Sequence, residues 1–176
     1  MHSFSDLAYR CSVFTTTSLN DVEEKTVEAL QTSGATSLVK TLQMARLDRI
    51  IFAVGMFSVF EALLQDRLNC KNGFREAKKI LEQSGDTLSL SKFEDLELAI
   101  NALKHGQGRS YNTLIAKNGG TLSSKIKLPN EYFFDERDVS EVSTLIDVND
   151  DFIFFCVDII SQVSEVIKRL KPEVIL

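Results

Sequence analysis

The amino-acid sequence predicts an all-α protein, an up-and-down bundle of helices packed around one long central helix. The chain of 176 residues has only two prolines and no tryptophan, and is rich in residues that favour helices. Its apolar residues recur at spacings of three and four in most segments. The run 50–64 is apolar almost all round, as expected of a helix that neighbours cover on most sides.

Length and composition favour a single soluble domain. A hydrophobic content of 44% and a charged content of 26% are ordinary for globular proteins, and 176 residues can form a sizeable core. We expect an irregular lead-in over residues 1–19 and one helical domain over residues 20–171. The start of the chain lacks the features of a signal peptide, and the run 50–64 is shorter than the ~18–20 residues of a membrane span. We therefore expect a cytoplasmic protein without membrane association.

The first half of the chain is predicted to hold three helices. Asn20 or Asp21 can cap the first, which ends near residues 32–34. The second and longest covers about 35–70 and is the central helix. The third is short and basic, over 74–83. Asn72 and Gly73 separate the second helix from the third.

The second half is predicted to begin with a helix that a Ser91–Glu94 capping box starts and Gly106 ends. The helix resumes at Arg109. Residues 115–148 are predicted to form a small irregular or β-hairpin excursion. Asn149 or Asp150 caps a last helix that runs to about residue 170.

Charge is unevenly distributed in the second half of the chain. Residues 101–130 contain five basic residues and no acidic one, whereas residues 131–158 contain nine acidic residues and one basic. The net charge of −5 argues against a generally basic nucleic-acid binder. A local positive field can still exist on an acidic protein, and it would favour a partner that carries phosphate.

The segment 96–114 gathers most of the chemically capable side chains. Glu97, Asn101 and His105 recur every four residues and so form one polar stripe on a helix. His105 can act as a general acid or base near neutral pH, and Lys104 or Arg109 can stabilise a developing negative charge, as RNA cleavage requires. The alternative is that His105 is only a polar helix end that the helix dipole favours.

Other polar residues allow two interpretations or indicate no site. Glu61 lies in the apolar half of the central helix, either in an ion pair with a neighbouring helix or as part of the site. Cys11, Cys70 and Cys156 are few, odd in number and far apart, which indicates reduced thiols. With histidines only at positions 2 and 105, no metal site and no cofactor are predicted.

Three short segments in this order resemble the HEPN superfamily (higher eukaryotes and prokaryotes nucleotide-binding domains). They are Phe60-Glu61-Ala62 in the long helix, Asn101-Ala102-Leu103-Lys104-His105-Gly106 at a helix end, and Leu145-Ile146-Asp147-Val148-Asn149 before the last helix. The resemblance covers roughly residues 38–170. It implies an all-α bundle, a homodimer whose site lies near the groove between subunits, and metal-independent RNA cleavage or RNA binding. The family includes endoribonucleases of toxin–antitoxin, antiphage and RNA-processing systems, so the resemblance leads us to expect a role in a toxin–antitoxin, antiphage or stress system.

The chain departs in one position from the family signature, which is an Arg and a His with four to six residues between them and usually a polar residue, often Asn, directly after the Arg. Asn101 and His105 match the polar position and the histidine, but Ile100 stands where the arginine is expected. Ile100 shares the apolar stripe of Leu96 and Leu103, which favours a packing role. The sequence therefore favours a catalytically degenerate member that binds RNA or a protein partner.

Two alternatives stay open: an active endoribonuclease that uses His105, and a purely structural helical dimerisation module. Expected partners are a second copy, RNA, and a cognate antitoxin or defence-system protein. The residues assigned to the site are His105, Asn101 and Arg109 for catalysis, Lys104, Arg109, Lys117 and Tyr111 for RNA phosphate, and Glu61 and Glu97 in support.

Overall fold

The structure, a computed structural model that describes residues 3–128 and 144–174, is an all-α bundle, as the sequence predicts. No strand occurs among the described residues. The helices are α1 (Phe4–Leu30), α2 (Thr36–Arg67), α3 (Gly73–Ser84), α4 (Thr87–His105), α5 (Arg109–Ala116), a 3₁₀ helix (Gly120–Lys125) and α6 (Asp150–Leu170).

The N-terminal segment corrects the prediction of an irregular lead-in and of a helix start at Asn20 or Asp21. Residues 4–30 form one continuous helix, which Ser3 caps by accepting a hydrogen bond from the Asp6 N–H. Its buried positions hold small or hydroxyl side chains rather than large apolar ones, so no apolar period marks the helix. These residues are Ala8, Ser12, Thr16 and Thr26.

Helices α1 and α2 run antiparallel and pack closely. The ring of Phe4 stacks on Phe60 at 5.8 Å, while Glu23 near the other end of α1 contacts Arg49. Small side chains on α1 allow this approach, and the Thr16 hydroxyl is satisfied because it donates to the Ser12 carbonyl of its own helix. The prediction of a helix over 35–70 is confirmed to within a few residues at each end.

The core lies between α2, α3, α4 and α6. Rings of Phe57, Phe74 and Phe93 from three of these helices lie 4.6–5.8 Å apart and are all buried. Helix α2 lies at the centre of the bundle, as predicted, but it shares this position with α6. Helix α6 contacts α1, α2, α3 and α4 and has more buried residues than α2.

The starts of α4 and α6 show where helix caps could and could not be predicted. Asn149 caps α6 by accepting from the Phe152 N–H, which is one of the two predicted caps. Helix α4 begins earlier than predicted, because the Asp86 carboxylate accepts from the Ser89 N–H and Ser91 lies inside the helix. The prediction of a start at Ser91 is therefore wrong.

The predicted excursion over 115–148 is partly helical. Helix α5 continues to Ala116, and the 3₁₀ helix follows at once. The described residues contain no hairpin, only an isolated antiparallel bridge between Ile126 and Ile146. Residues 129–143, which belong to the predicted excursion, lie outside the described residues.

Two further features concern the whole bundle. Among the described helices, none is long and apolar enough to cross a membrane. The cysteines are all unpaired, with Cys11 exposed, Cys70 half-buried and Cys156 fully buried on α6. Burial raises the pKa of the Cys156 thiol far above its usual range.

Candidate nucleic-acid interface

The predicted polar stripe lies on α4 but does not form one constellation. Glu97 is bound to Lys78 of α3, with 2.9 Å between its Oε2 and the Lys78 Nζ. Asn101 is half-buried and His105 is exposed as the last residue of the helix. The structure thus brings Glu97 to a neighbouring helix and leaves His105 facing solvent.

Three exposed basic residues lie where α4 ends and α5 begins. Lys104, His105 and Arg109 surround the short link 106–108, and we name these three residues the basic corner. Gly106 has φ +70°, a backbone conformation that side chains disfavour, so a glycine is needed to turn the chain here. None of the three side chains hydrogen-bonds or ion-pairs with a described residue. The corner therefore carries positive charge that nothing described neutralises.

The first turn of α5 adds to this charge. Gly108 is the N-cap residue of α5 and has no side chain, so it leaves the first amide groups without a side-chain cap. No acidic residue lies in this turn. The N-terminal end of a helix favours anions, so the start of α5 and the basic corner both favour a negatively charged ligand.

Ile100 occupies a core position. It is only 3% exposed and belongs to the same cluster of buried residues as Leu96 and Ala99. The packing role favoured by the sequence is confirmed, and an arginine here would place a charge among apolar side chains.

Lys117, Tyr111 and Glu61 lie apart from the corner in their interactions. Tyr111 is buried, and its hydroxyl donates to the Lys127 carbonyl at 2.6 Å. Lys117 forms ion pairs with Asp95 at 3.2 Å and Glu94 at 3.7 Å. Glu61 is half-buried and makes no ion pair with a described residue. Tyr111 and Lys117, which we expected to contact RNA, are thus already bound to other groups of the chain.

Asp95 fixes the position of α5 and was not singled out in the sequence. Its carboxylate is 1% exposed and accepts hydrogen bonds from the Lys117 ammonium, the Thr121 N–H and the Thr121 hydroxyl. Gly120 lies so close that a Cβ there would collide with this carboxylate. Such contacts tie the far end of α5 to α4, so that both sides of the corner are held.

A second polar cluster lies on the opposite side of α2 from its exposed face, around the buried Arg49. Its guanidinium donates to both Glu23 oxygens, to the Asn20 side chain and to Asp150, at 2.6–3.0 Å. Asn20 in turn donates to Asp150 at 2.7 Å. Burial lowers the Arg49 pKa, but the hydrogen bonds to Glu23 and Asp150 outweigh it, and the pKa is raised. This network joins α1, α2 and α6.

Sequence reasoning missed the Arg49 network, although one signal was available: a charged residue interrupts the apolar period of α2. A cleft of about 520 Å³ adjoins the network and is also lined by Arg46 and Asp147. Desolvation raises the pKa of Asp147 above its usual range, against the opposing effect of Lys125. The cleft is lined by both acidic and basic side chains, and Arg49 is already bound to carboxylates.

Comparison with protein-family models, with curated proteins and with solved structures finds no match for the chain. Within the described ranges, no group of three or more His, Cys, Asp and Glu side chains is placed to hold a metal ion.

Proposed function

We propose that the chain binds RNA through the basic corner, by contacts to phosphate, and does not cleave it. The observation that carries the proposal is the position of Lys104 and Arg109, with His105 between them, beside the uncapped first turn of α5. All three side chains are exposed and have no partner among the described residues, whereas Lys78, Lys117 and Lys125 are bound to carboxylates. Exposed, unneutralised cations are what phosphate contacts require.

Two features favour binding without cleavage. Ile100 is a core residue, so no guanidinium stands beside Asn101 and His105 where the resemblance expects one. His105 has no described side chain that would orient its ring for proton transfer. Cleavage would then depend on Lys104 or Arg109 for charge stabilisation, and both side chains are exposed.

The biological setting of the proposal rests on the HEPN resemblance. It suggests a toxin–antitoxin, antiphage or stress system with a cognate antitoxin or defence-system protein as partner. A homodimer with the Glu97, Asn101 and His105 stripe beside the groove stays a prediction, and the ion pair of Glu97 with Lys78 leaves chiefly Asn101 and His105 to line such a groove.

The salt dependence of RNA binding tests the interface. For single-stranded RNA, each phosphate contact adds about 0.7 to the slope of log affinity against log salt, so Lys104→Ala/Arg109→Ala should flatten the slope by about 1.4. Affinity is measured by fluorescence anisotropy with a labelled oligonucleotide. The matched control is Lys71→Ala/Lys168→Ala, which removes the same charge from two exposed positions elsewhere. Equal flattening in both variants would mean that only net charge matters and would overturn the proposal.

Cleavage is tested separately with labelled RNA in EDTA, wild type beside His105→Ala. We expect intact RNA in both reactions. Cleavage by wild type alone, reduced about 10²–10⁴-fold in the variant, would establish the endoribonuclease alternative, because that is the usual contribution of a general acid or base. Equal cleavage by both proteins would point to a contaminating nuclease.

A further inference from the structure

Helix α1 is a long helix whose own side chains bury little apolar surface. Its buried positions hold nothing larger than threonine: Ala8, Ser12, Thr16 and Thr26. Helix α3 is less than half as long, and it buries Phe74, Ile80 and Leu81. Because burial of apolar area is the main contribution to helix packing, the buried positions of α1 hold it to the bundle only weakly.

The large apolar side chains of α1 face solvent for the most part. Six of them are 39–74% exposed: Leu7, Tyr9, Val13, Phe14, Val22 and Val27. Phe4, Leu19 and Leu30 are half-buried. Separation of α1 from the bundle would therefore change the exposure of most of its apolar side chains little.

The buried hydroxyl groups of α1 do not bind it strongly to its neighbours. The Thr16 hydroxyl donates to the Ser12 carbonyl, and the Thr26 hydroxyl donates to the Val22 carbonyl, both within α1. The Ser12 hydroxyl reaches the Met56 sulfur at 3.7 Å, and a thioether is a weak acceptor. Thr16 and Thr26 therefore keep their hydrogen bonds if α1 leaves the bundle as an intact helix.

Several contacts stabilise α1 as a helix without help from the bundle. Its N-terminal cap and its two ion pairs four residues apart, Arg10 with Asp6 and Lys25 with Asp21, lie within the helix or directly before it. A link of five exposed residues, 31–35, joins α1 to α2. Helix α1 can therefore move as one element about this link.

The strong contact of α1 with the bundle is the Arg49 network. Glu23 accepts two hydrogen bonds from the Arg49 guanidinium, and Asn20 accepts a third and donates to Asp150. If α1 leaves, Arg49 keeps its bond to Asp150 and both side chains reach solvent, so no buried charge is left without a partner. We propose that α1 separates from α2 and α6 as a unit while the remaining helices stay folded, and that the Arg49 network is the contact that must break.

Opening of this kind uncovers apolar side chains of α2. Met56 and Phe60 are 8% and 0% exposed, and they contact Ser12 and Phe4 of α1. The open form thus presents an apolar surface that the closed form hides. The basic corner lies on other helices, and this inference does not rest on the proposed RNA binding.

Thiol labelling of the folded full chain tests the proposal. In a Cys11→Ser/Cys70→Ser background, Ser12→Cys adds a thiol at a fully buried position of α1, and the native Cys156 on α6 is the internal reference. Labelling by iodoacetamide is followed by peptide mass spectrometry, and each rate is divided by the rate in urea-unfolded protein to remove differences in thiol reactivity. We expect Ser12→Cys to be labelled at least about tenfold faster than Cys156, since partial opening is more frequent than global unfolding. Ser164→Cys, at a buried serine of α6, is the matched control and should be labelled as slowly as Cys156.

Two further variants, added to the Ser12→Cys protein, test which contact breaks. Asn20→Ala removes hydrogen bonds that the open form lacks, so it should speed labelling of Ser12→Cys by about 2–10-fold, the effect of one net hydrogen bond. Lys78→Ala removes the ion pair with Glu97 between α3 and α4, which the open form keeps. It should leave the labelling of Ser12→Cys within about twofold of its original rate, because a contact present in both forms does not change their ratio.

Three results would each overturn the proposal. Labelling of Ser12→Cys no faster than that of Cys156, or an increase of both rates by the same factor in Lys78→Ala, would mean that α1 opens only when the whole bundle unfolds. An unchanged labelling rate in Asn20→Ala would mean that the Arg49 network does not hold α1. Thr16→Cys, at a second buried position of α1, replaces Ser12→Cys if that variant does not fold, and the same results decide.

Discussion

The Arg49 network and the basic corner both gather cations, but they differ in what surrounds the charge. Arg49 is 5% exposed and each of its three donor nitrogens contacts a described side chain. Lys104 and Arg109 are exposed and have no such contacts. The difference suggests a rule for this chain: a neutralised charge holds helices together, and an open charge beside the uncapped start of α5 is available to a phosphate ligand. Four variants test that rule.

The largest effect is expected from Arg49→Ala. It leaves Glu23 and Asp150 without their cation, and breaking a buried ion pair costs about 3–5 kcal/mol. Urea unfolding followed by circular dichroism measures the loss of unfolding free energy. Arg109→Ala is the control and should change it by less than about 0.5 kcal/mol, as surface substitutions usually do. Equal effects of the two variants would contradict the comparison.

Arg109→Ala, which should leave stability nearly unchanged, should weaken RNA binding. Loss of one charged hydrogen bond to phosphate weakens binding by about 1–3 kcal/mol. Anisotropy titration at constant salt measures it. Lys168→Ala, an exposed cation on α6, should bind nearly as wild type does. An unchanged affinity for Arg109→Ala would remove this residue from the interface.

A smaller effect is expected from Asp86→Ala, which tests a half-buried charge that accepts a hydrogen bond. The hydrogen bond from the Ser89 N–H, first among several causes, lowers the Asp86 pKa. The bond also caps α4, and loss of such a cap costs about 1 kcal/mol. Because the folded-state pKa is depressed, its contribution is present above the ordinary pKa of 3.8 and falls as the pH drops through the lowered value. Thermal unfolding at pH 7 and pH 3 should show a larger difference from wild type at pH 7.

The smallest effect concerns Asp147, whose pKa is raised chiefly by desolvation. Lys125 and Arg46 oppose that shift, and Asp151 adds to it. Because the pKa of Asp147 is higher in the folded state, this residue stabilises the fold at a pH below its ordinary pKa of 3.8. That contribution is lost as the pH rises through the raised pKa. Asp147→Asn cannot ionise, so its stability should improve relative to wild type between about pH 4 and pH 7 by this linkage. A constant difference over that range would mean that Asp147 titrates normally.

The sequence predicted those parts of the fold that large apolar side chains mark. Helix α6 has Phe152, Ile159 and Val163 on one buried face, and its cap and end were both predictable. Helix α1 buries Ser12 and Thr16 instead, so its first half gave no period to detect. The start of α4 depended on which of two capping residues the chain uses, which local sequence leaves open.

The candidate site was predictable only in part, because the role of a polar residue depends on which other residue it contacts in the folded chain. The burial of Ile100 followed from its stripe with Leu96. The pairing of Glu97 with Lys78, and of Lys117 with Asp95, joins residues 19 and 22 positions apart and depends on how helices pack. Sequence reasoning therefore singled out these basic residues as a group but could not tell the neutralised ones from the open ones.

The buried Cys156 allows the opening of the bundle to be followed by thiol modification. Only the thiolate reacts with alkylating reagents, and Cys156 lies fully inside the bundle with a raised pKa, whereas Cys11 is exposed on α1. Cys11 should be modified without any opening of the bundle, and Cys156 only when α6 separates from its neighbours. The ratio of the two rates then reports how often the core opens under native conditions, without added denaturant.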